Sequence, residues 1–295
     1  MPCFASLLSS PRLIMPLLLA ALLLAASPLR AGAAAPLTLR YSPPDWPAPL
    51  YADLYRPDSA EPVPVVLVIH GGGWSGGARD DGYVRGICRH LAGRGLAALS
   101  VSYRLAPGAR FPAQLDDLAE AVAWLRREGG GLGLDTRAIG LWGYSAGAHL
   151  ASLMSMRAQA LPVAGVVAGG TPADLRVWPD SPMVLDLLGQ RRDQAPALWA
   201  AASPVSQAGT GTPPHFLYHG RLDTLVAYDQ AESLRQALLA AGVPVTLRTH
   251  WLQGHVLAAI APGRTLREAS TFLRARLAAP ASAMPRSGHD GRLAP

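Results

Sequence analysis

Lysine is absent from the 295-residue chain, so every permanently positive side chain is arginine. A phosphate-binding loop of the G-x-x-x-x-G-K-[ST] type needs a lysine, and this class of nucleotide site is therefore excluded. The arginines are scattered and never form a run of five or six, whereas a nucleic-acid surface usually shows a basic cluster. The formal net charge of +6 thus identifies no partner, and we expect no nucleic-acid binding.

Cysteine is nearly absent as well, with only Cys3 and Cys88 present. A basic residue, an apolar run at residues 13–26 and the small residues beyond it predict a secretory signal peptide over residues 1–33. A transmembrane anchor is the alternative, but a span needs about 20 apolar residues. We expect a secreted or periplasmic protein with no stable membrane span after cleavage. Cleavage would leave Cys88 as the single thiol, so no intramolecular disulfide could form.

Apolar strands alternate with helical segments over residues 34–278, which we interpret as one domain. Strands are predicted at residues 37–41, 53–55, 65–69, 96–101, 138–142, 163–168, 214–218 and 245–250, and helices at 80–91, 115–125, 148–156, 227–241 and 265–277. This alternation predicts an α/β fold with a mostly parallel central sheet and helices on both faces. Residues 169–213 are too long for a tight connection and predict a lid-like insertion. The tail at residues 279–295 is rich in Pro, Ser and Gly and is expected to be disordered.

The segment G-Y-S-A-G, with Ser145 at its centre, lies between a predicted strand and a predicted helix. Small flanking residues leave room for a tight strand-to-helix turn, which exposes the serine hydroxyl and places the amide of Ala146 beside it. The pattern alone also occurs in ordinary turns. Its position between strand and helix favours Ser145 as a nucleophile.

The segment H-G-G-G-W at residues 70–74 directly follows the predicted strand 65–69. Contiguous glycines let a backbone approach a ligand closely, with N–H groups free to point at it. Fixed amides of this kind stabilise the oxyanion that forms during acyl transfer. We expect His70 to brace this loop rather than to act as a base.

An acid and a histidine follow Ser145 in the order that a serine nucleophile needs in this type of fold. Asp223 and His255 lie just past the last two predicted strands. Because the carboxyl ends of parallel strands meet at one edge of a sheet, the three side chains are expected to converge there. Asp174, which follows the preceding strand, is the alternative acid.

Together these motifs resemble the α/β-hydrolase superfamily. Within it, the chain is similar to esterases with a His-Gly-Gly-Gly loop, near the hormone-sensitive-lipase-like and feruloyl-esterase-like groups. The resemblance also covers D-L-Y-R-P at residues 53–57, S-Y-R-L-A-P at 102–107 and F-P-A-Q-L-D-D at 111–117. These three segments are expected to be structural rather than catalytic.

The resemblance implies a role for each of six residues. The nucleophile, orienting acid and base are Ser145, Asp223 and His255, and the oxyanion donors are Gly72, Gly73 and Ala146. We further expect Trp74 and Tyr144 to bind substrate. Gly71 is left open as a further donor. Tyr144 stands where hormone-sensitive-lipase-like enzymes usually have Asp, which favours the feruloyl-esterase-like or aryl-formamidase-like branch.

The reaction that the resemblance implies is carboxylic-ester hydrolysis through an acyl-enzyme. It needs neither a metal nor an organic cofactor. The expected partner is a small-molecule ester with a short acyl group or an aryl or sugar portion. An amidase or aryl formamidase would use the same three residues, and a non-catalytic binding protein on a hydrolase scaffold is the other alternative.

Overall fold

A computed structural model describes residues 35–157 and 162–279. The signal peptide predicted for residues 1–33 and the disordered tail predicted from residue 279 onwards lie outside this part, apart from residue 279. None of the helices in the described part has the length and apolar character needed to span a membrane.

Eight strands form one sheet in the order β1-β2-β4-β3-β5-β6-β7-β8. The strands are β1 (Leu37–Arg40), β2 (Tyr51–Tyr55), β3 (Val63–Ile69), β4 (Ala97–Val101), β5 (Leu134–Tyr144), β6 (Val163–Gly169), β7 (His215–Gly220) and β8 (Val245–His250). β2 runs antiparallel to both of its neighbours, and the other neighbouring pairs are parallel. The mostly parallel sheet predicted from the alternation of strands and helices is therefore confirmed.

The helices lie on both faces of this sheet, as predicted. They are α1 (Gly82–Ala92), α2 (Ala113–Glu128), α3 (Ala146–Ser155), α4 (Pro182–Leu188), α5 (Pro196–Ala201), α6 (Asp229–Ala240), α7 (His255–Ile260) and α8 (Arg264–Leu277). The short helix α7 was not predicted. Its six residues are too few for a periodic pattern to be read from the sequence.

The central strand β3 shows why both faces must be covered. Its residues Val65, Leu67 and Ile69 are buried on the face packed by α2, α3 and α6, whereas Val66 and Val68 are buried on the face packed by α1 and α8. Successive side chains of a strand point to opposite faces, so a continuous run of branched apolar residues suits a strand buried on both. β3 is thus buried on both faces at the centre of the sheet.

Asp117 on α2 joins the segments around residues 102–107 and 111–117. Its buried carboxylate accepts hydrogen bonds from Trp46 Nε1 at 2.8 Å and from the Arg104 backbone N–H at 2.8 Å. The Arg104 side chain also donates to both carboxylate oxygens, at 2.8 and 3.0 Å from Nε. These contacts give the two segments a structural role.

We expect Asp117→Ala to lower the free energy of unfolding by about 3–5 kcal/mol, the cost of removing one partner of a buried ion pair. Arg104 would keep its charge without a partner, and the Trp46 N–H would lose its acceptor. Urea unfolding followed by circular dichroism measures the loss. The matched control is Asp116→Ala, because Asp116 is the exposed neighbour on the same helix. Equal losses for the two variants would contradict the role of Asp117.

The insertion predicted at residues 169–213 corresponds to residues 170–214, which connect β6 to β7 and contain α4 and α5. It is fastened to the body of the domain by polar contacts. The backbone N–H groups of Ala173 and Asp174 donate to Gln230 Oε1 on α6 at 2.9 and 2.8 Å. The Phe111 N–H donates to the Leu187 carbonyl of α4 at 2.9 Å. The insertion therefore packs at the edge of the sheet where the predicted site residues lie.

Candidate active site

Ser145 occupies a sharp turn between β5 and α3, with φ 54° and ψ −123°. A Cβ at Gly143 would lie 2.2 Å from the Gly147 carbonyl oxygen, and one at Gly147 would lie 2.1 Å from the Ile69 carbonyl oxygen. No side chain fits at either position, which explains the two glycines of the motif. The Ser145 N–H donates to the Gly169 carbonyl at 2.8 Å. The turn is therefore held by backbone contacts on both sides of the strained residue.

His255 and Asp223 form the hydrogen-bonded pair that the sequence predicts. His255 Nδ1 lies 2.6 Å from Asp223 Oδ2. The other carboxylate oxygen accepts the N–H groups of Leu225 at 3.0 Å and Val226 at 2.8 Å. Because an ionised carboxylate can only accept, Nδ1 carries the hydrogen and Nε2 is left free to take a proton.

Ser145 and His255 both contact the end of β6. Ser145 is bonded to Gly169, and a Cβ at the next residue, Gly170, would lie 3.1 Å from His255 Cε1. The serine turn and the imidazole thus both pack against residues 169–170 at the end of β6.

The charge of Asp223 is stabilised by its surroundings. Burial by itself would raise the pKa of this carboxyl group, but hydrogen bonds from His219, His255 and the Val226 amide hold its pKa well below the usual range. Asp223 therefore carries a full negative charge when His255 becomes a cation.

The alternative acid, Asp174, lies elsewhere. Its carboxylate pairs with Arg176, with Nε at 2.7 Å and Nη2 at 2.9 Å, and accepts the Arg176 backbone N–H at 3.0 Å. Asp174 begins a short 3₁₀ turn in the insertion. The structure thus brings Asp223, and not Asp174, to His255.

The glycine loop presents two free amides. Gly72 and Gly73 have φ values of 112° and 60°, and their N–H groups have no acceptor in the part of the chain that the structure describes. The same is true of Ala146 at the start of α3, where the first amides of a helix lack partners. In contrast, the Gly71 N–H donates to Tyr83 Oη at 2.6 Å. Gly71 is therefore not available as an oxyanion donor.

His70 lies inside this loop and braces it, as expected. Its Nδ1 is 2.8 Å from the Gly71 carbonyl oxygen, and its ring stacks on Tyr103 with centroids 4.2 Å apart. Burial lowers the pKa of His70. The Tyr103 hydroxyl in turn donates to the His70 carbonyl at 3.0 Å, so the ring is fixed within the loop.

Trp74 lines the cavity beside Ser145, and its position depends on a histidine that sequence reasoning missed. Trp74 Nε1 donates to His149 Nδ1 at 3.1 Å, and His149 Nε2 donates to the Ala202 carbonyl of the insertion at 2.8 Å. Burial lowers the pKa of His149 to about 4, so it stays neutral. His149 follows Ser145 by four residues on α3, the spacing that places two residues on one helix face.

Tyr144 does not lie where the sequence places it. It was expected to bind substrate, but it is absent from the residues that line the cavity. Its buried hydroxyl donates to the His255 carbonyl at 2.5 Å, and its ring lies 5.1 Å from the imidazole. Burial raises the pKa of Tyr144. Tyr144 therefore contacts His255 and does not line the cavity, which corrects its assignment as a substrate-binding residue.

The cavity beside Ser145 has a volume of about 130 Å³. Apart from two serines its lining is apolar: Gly73, Trp74, Ser145, Ala146, Pro172, Trp178, Ser181, Met183, Val184, Leu225 and Val226. Met183 of α4 lies directly over the glycine loop, since a Cβ at Gly73 would be 2.9 Å from its sulfur. Among the described residues, no group of three or more His, Cys, Asp or Glu side chains could hold a metal ion.

Comparison with known proteins gives a family and several relatives. The BD-FAE family model matches residues 52–238. Esterase LipC of Mycobacterium tuberculosis is 30% identical over 217 residues, which cover 66% of this chain and 53% of LipC. Esterase LipQ of the same organism is 30% identical over 245 residues, which cover 74% of this chain and 57% of LipQ. The match thus spans little more than half the length of either relative.

Solved structures share the fold. A bacterial heroin esterase superimposes with a TM-score of 0.69 at 27% identity, covering 90% of each chain. An esterase from Pyrobaculum calidifontis gives a TM-score of 0.67 at 26% identity, covering 83% of this chain and 86% of the other. The family match covers more than half of the chain and ends beyond the serine turn and Asp223. The chain therefore belongs to the BD-FAE family and has the α/β-hydrolase fold.

Proposed function

We propose that the protein hydrolyses small carboxylic esters, with Ser145 as nucleophile, His255 as base and Asp223 as the acid that orients the base. One observation carries this proposal. The bonded Asp223–His255 pair and the strained Ser145 turn meet at residues 169–170, and the glycine loop adjoins the serine, since a Cβ at Gly71 would lie 3.4 Å from Ser145 Cβ. The named esterases among the relatives support the same reaction class.

The proposed reaction has two halves. His255 Nε2 takes the hydroxyl proton of Ser145 as the oxygen attacks the ester carbonyl, and the amides of Gly72, Gly73 and Ala146 stabilise the oxyanion. His255 then gives its proton to the departing alcohol, and an acyl-serine remains. Water repeats the attack on the acyl-serine and releases the acid. Throughout, Asp223 stabilises the imidazolium and keeps the hydrogen on Nδ1.

The cavity limits the acyl group that can be accepted. Its volume of about 130 Å³ is close to that of an engineered apolar cavity of about 150 Å³ that binds benzene. Its walls offer large apolar side chains and no charged group. We therefore expect short acyl chains such as acetyl, propionyl and butyryl, or one compact ring, to be the preferred acyl groups.

A series of p-nitrophenyl esters from acetate to decanoate tests the proposal on protein beginning at Ala34. We expect kcat/KM to be highest between acetate and butyrate and to fall more than about tenfold by decanoate, a loss of about 1.4 kcal/mol. A fluorophosphonate should label Ser145. If Ser145 is labelled but no ester is turned over, the proposed substrate becomes an amide or formamide. If the protein is neither labelled nor active on any ester, it is a binding protein.

Met183 is expected to limit the length of the acyl chain. Met183→Ala would open the cavity over Gly73 and admit about two more methylene groups, worth about 0.8 kcal/mol each when buried. The ratio of kcat/KM for hexanoate over acetate should therefore rise about tenfold. Val177→Ala is the matched control, since Val177 is an exposed apolar residue of the same insertion outside the cavity lining. An unchanged ratio in Met183→Ala would exclude this residue as the limit.

A further inference from the structure

Asp223 contacts a second histidine besides His255. His219, the fifth residue of β7, is fully buried, and its Nε2 lies 3.2 Å from Asp223 Oδ2 and 2.8 Å from the Val226 carbonyl oxygen. A carbonyl oxygen can only accept, so Nε2 carries a hydrogen and is shared between the two oxygens. The other ring nitrogen, Nδ1, is buried without a partner among the described residues. Nε2 is therefore the ring atom through which His219 contacts the Asp223 turn.

Four donors surround the carboxylate as a result. Oδ1 receives the N–H groups of Leu225 and Val226, Oδ2 receives His255, and the shared N–H of His219 lies 3.2 Å from Oδ2. An ionised carboxylate has about four lone-pair sites, and groups from both sides of the turn approach them. Rotation of the carboxylate would break at least one of these contacts.

The elements behind His219 leave it little freedom. Its ring meets the edge of Tyr228 at 5.9 Å, and the Tyr228 hydroxyl lies 2.6 Å from Thr249 Oγ1 on β8. The guanidinium group of Arg221 covers the Tyr228 ring at 4.8 Å. His219 also holds the carbonyl of Val226, a residue that lines the cavity. The same imidazole thus connects the acid to the cavity wall.

We propose that His219 is a positioning residue, which fixes the Asp223 carboxylate in the plane that His255 needs and ties the Asp223 turn to β7. This inference deepens the proposed function and rests on it. His219 touches neither the substrate nor the reacting atoms. Its loss should therefore lower the rate of the chemical steps by a larger factor than it weakens substrate binding.

A matched control residue lies on the same strand. His215 is also fully buried, its Nδ1 is 2.8 Å from the Pro213 carbonyl oxygen, and its other ring nitrogen has no partner within the described residues. It differs from His219 in having no carboxylate beside it. A variant of His215 therefore shows what the loss of a buried histidine costs this strand without any effect on Asp223.

The test compares two amide variants of His219. The amide nitrogen of Gln reaches about as far as Nε2 of histidine, whereas that of Asn does not. We expect His219→Asn to lower kcat on p-nitrophenyl acetate about 10- to 100-fold, the usual effect of losing a hydrogen bond to a charged group. KM should change by a smaller factor than kcat, although Val226, which His219 also holds, lines the cavity. His219→Gln should recover most of kcat. His215→Gln should change thermal stability but not kcat.

A spectroscopic measurement separates this inference from the proposed function. The proton between His255 Nδ1 and Asp223 Oδ2 should give a downfield NMR resonance in the wild-type protein. We expect this resonance to broaden in His219→Asn, because the carboxylate gains freedom to rotate, and to stay sharp in His215→Gln. This holds whether or not an ester is turned over. A sharp resonance in His219→Asn, or equal kcat losses in the His219 and His215 variants, would overturn the positioning role.

Discussion

Ser145→Ala is expected to lower kcat on a short-chain ester by about 10⁶-fold, the loss seen when a serine nucleophile is removed from a comparable triad. The residual rate would come from the oxyanion amides and from substrate binding alone. Alanine has a Cβ like serine, so the backbone strain at φ 54° is the same in both proteins. The variant should therefore fold with an unchanged thermal midpoint.

Ser181→Ala is the matched control for this experiment. Ser181 also lines the cavity, and its side chain makes no capping bond to α4. Its loss should leave kcat within about twofold and fluorophosphonate labelling intact, whereas Ser145→Ala should show no labelling. Activity of Ser145→Ala within about tenfold of wild type, a loss of ~1.4 kcal/mol or less, would contradict the assignment of Ser145 as nucleophile.

The parts of the site that could be predicted are those that local backbone requirements dictate. Gly143 and Gly147 are needed because their Cβ positions are filled by backbone atoms, and that requirement leaves a readable pattern around Ser145. The branched run in β3 likewise predicts a buried central strand. Asp223 and His255 are predicted by their order along the chain after Ser145 and by their positions just past the ends of strands. In each case the constraint acts within a few residues of the motif or follows from the direction of the strands.

Contacts between distant elements left no such pattern. The Tyr83 hydroxyl that occupies the Gly71 amide lies on α1, and the Ala202 carbonyl that holds His149 lies in the insertion. Neither contact changes the local periodicity of its element. His219 carries no such signal either, because nothing in its strand indicates that Val226 and Asp223 turn back towards it.

Tyr144 is a different case, since a signal was available. In β5, side chains alternate between the two faces, and Trp142 and Tyr144 both belong to the core cluster on the face that α1 and α8 cover. Because side chains alternate with a period of two, Tyr144 is predicted on the same face as Trp142, away from the cavity. Tyr144 was expected to bind substrate because it precedes Ser145 in the G-Y-S-A-G motif, but the alternation of side chains along β5 places it on the other face.

Asp223→Asn is expected to lower kcat by about 10⁴-fold, as in triads whose acid becomes an amide. Leu225 and Val226 both donate to Oδ1, so the amide oxygen of Asn should stay there and its NH₂ group should face the imidazole. Two donors would then meet unless His255 Nδ1 gave up its hydrogen. The hydrogen would move to Nε2, and the ring could no longer take a proton from Ser145.

Asp174→Asn is the control that separates the two candidate acids. Asp174 is paired with Arg176, whose side chain is 42% exposed, and exposed ion pairs contribute about 0–1 kcal/mol to stability. This variant should keep kcat within about twofold of wild type on p-nitrophenyl acetate, and any change should appear in the thermal midpoint. A larger loss of kcat in Asp174→Asn than in Asp223→Asn would assign the acid to the insertion. Asp223 is the carboxylate bonded to His255 Nδ1. We therefore expect the shift of the hydrogen to Nε2, and the loss of about 10⁴-fold in kcat, in Asp223→Asn.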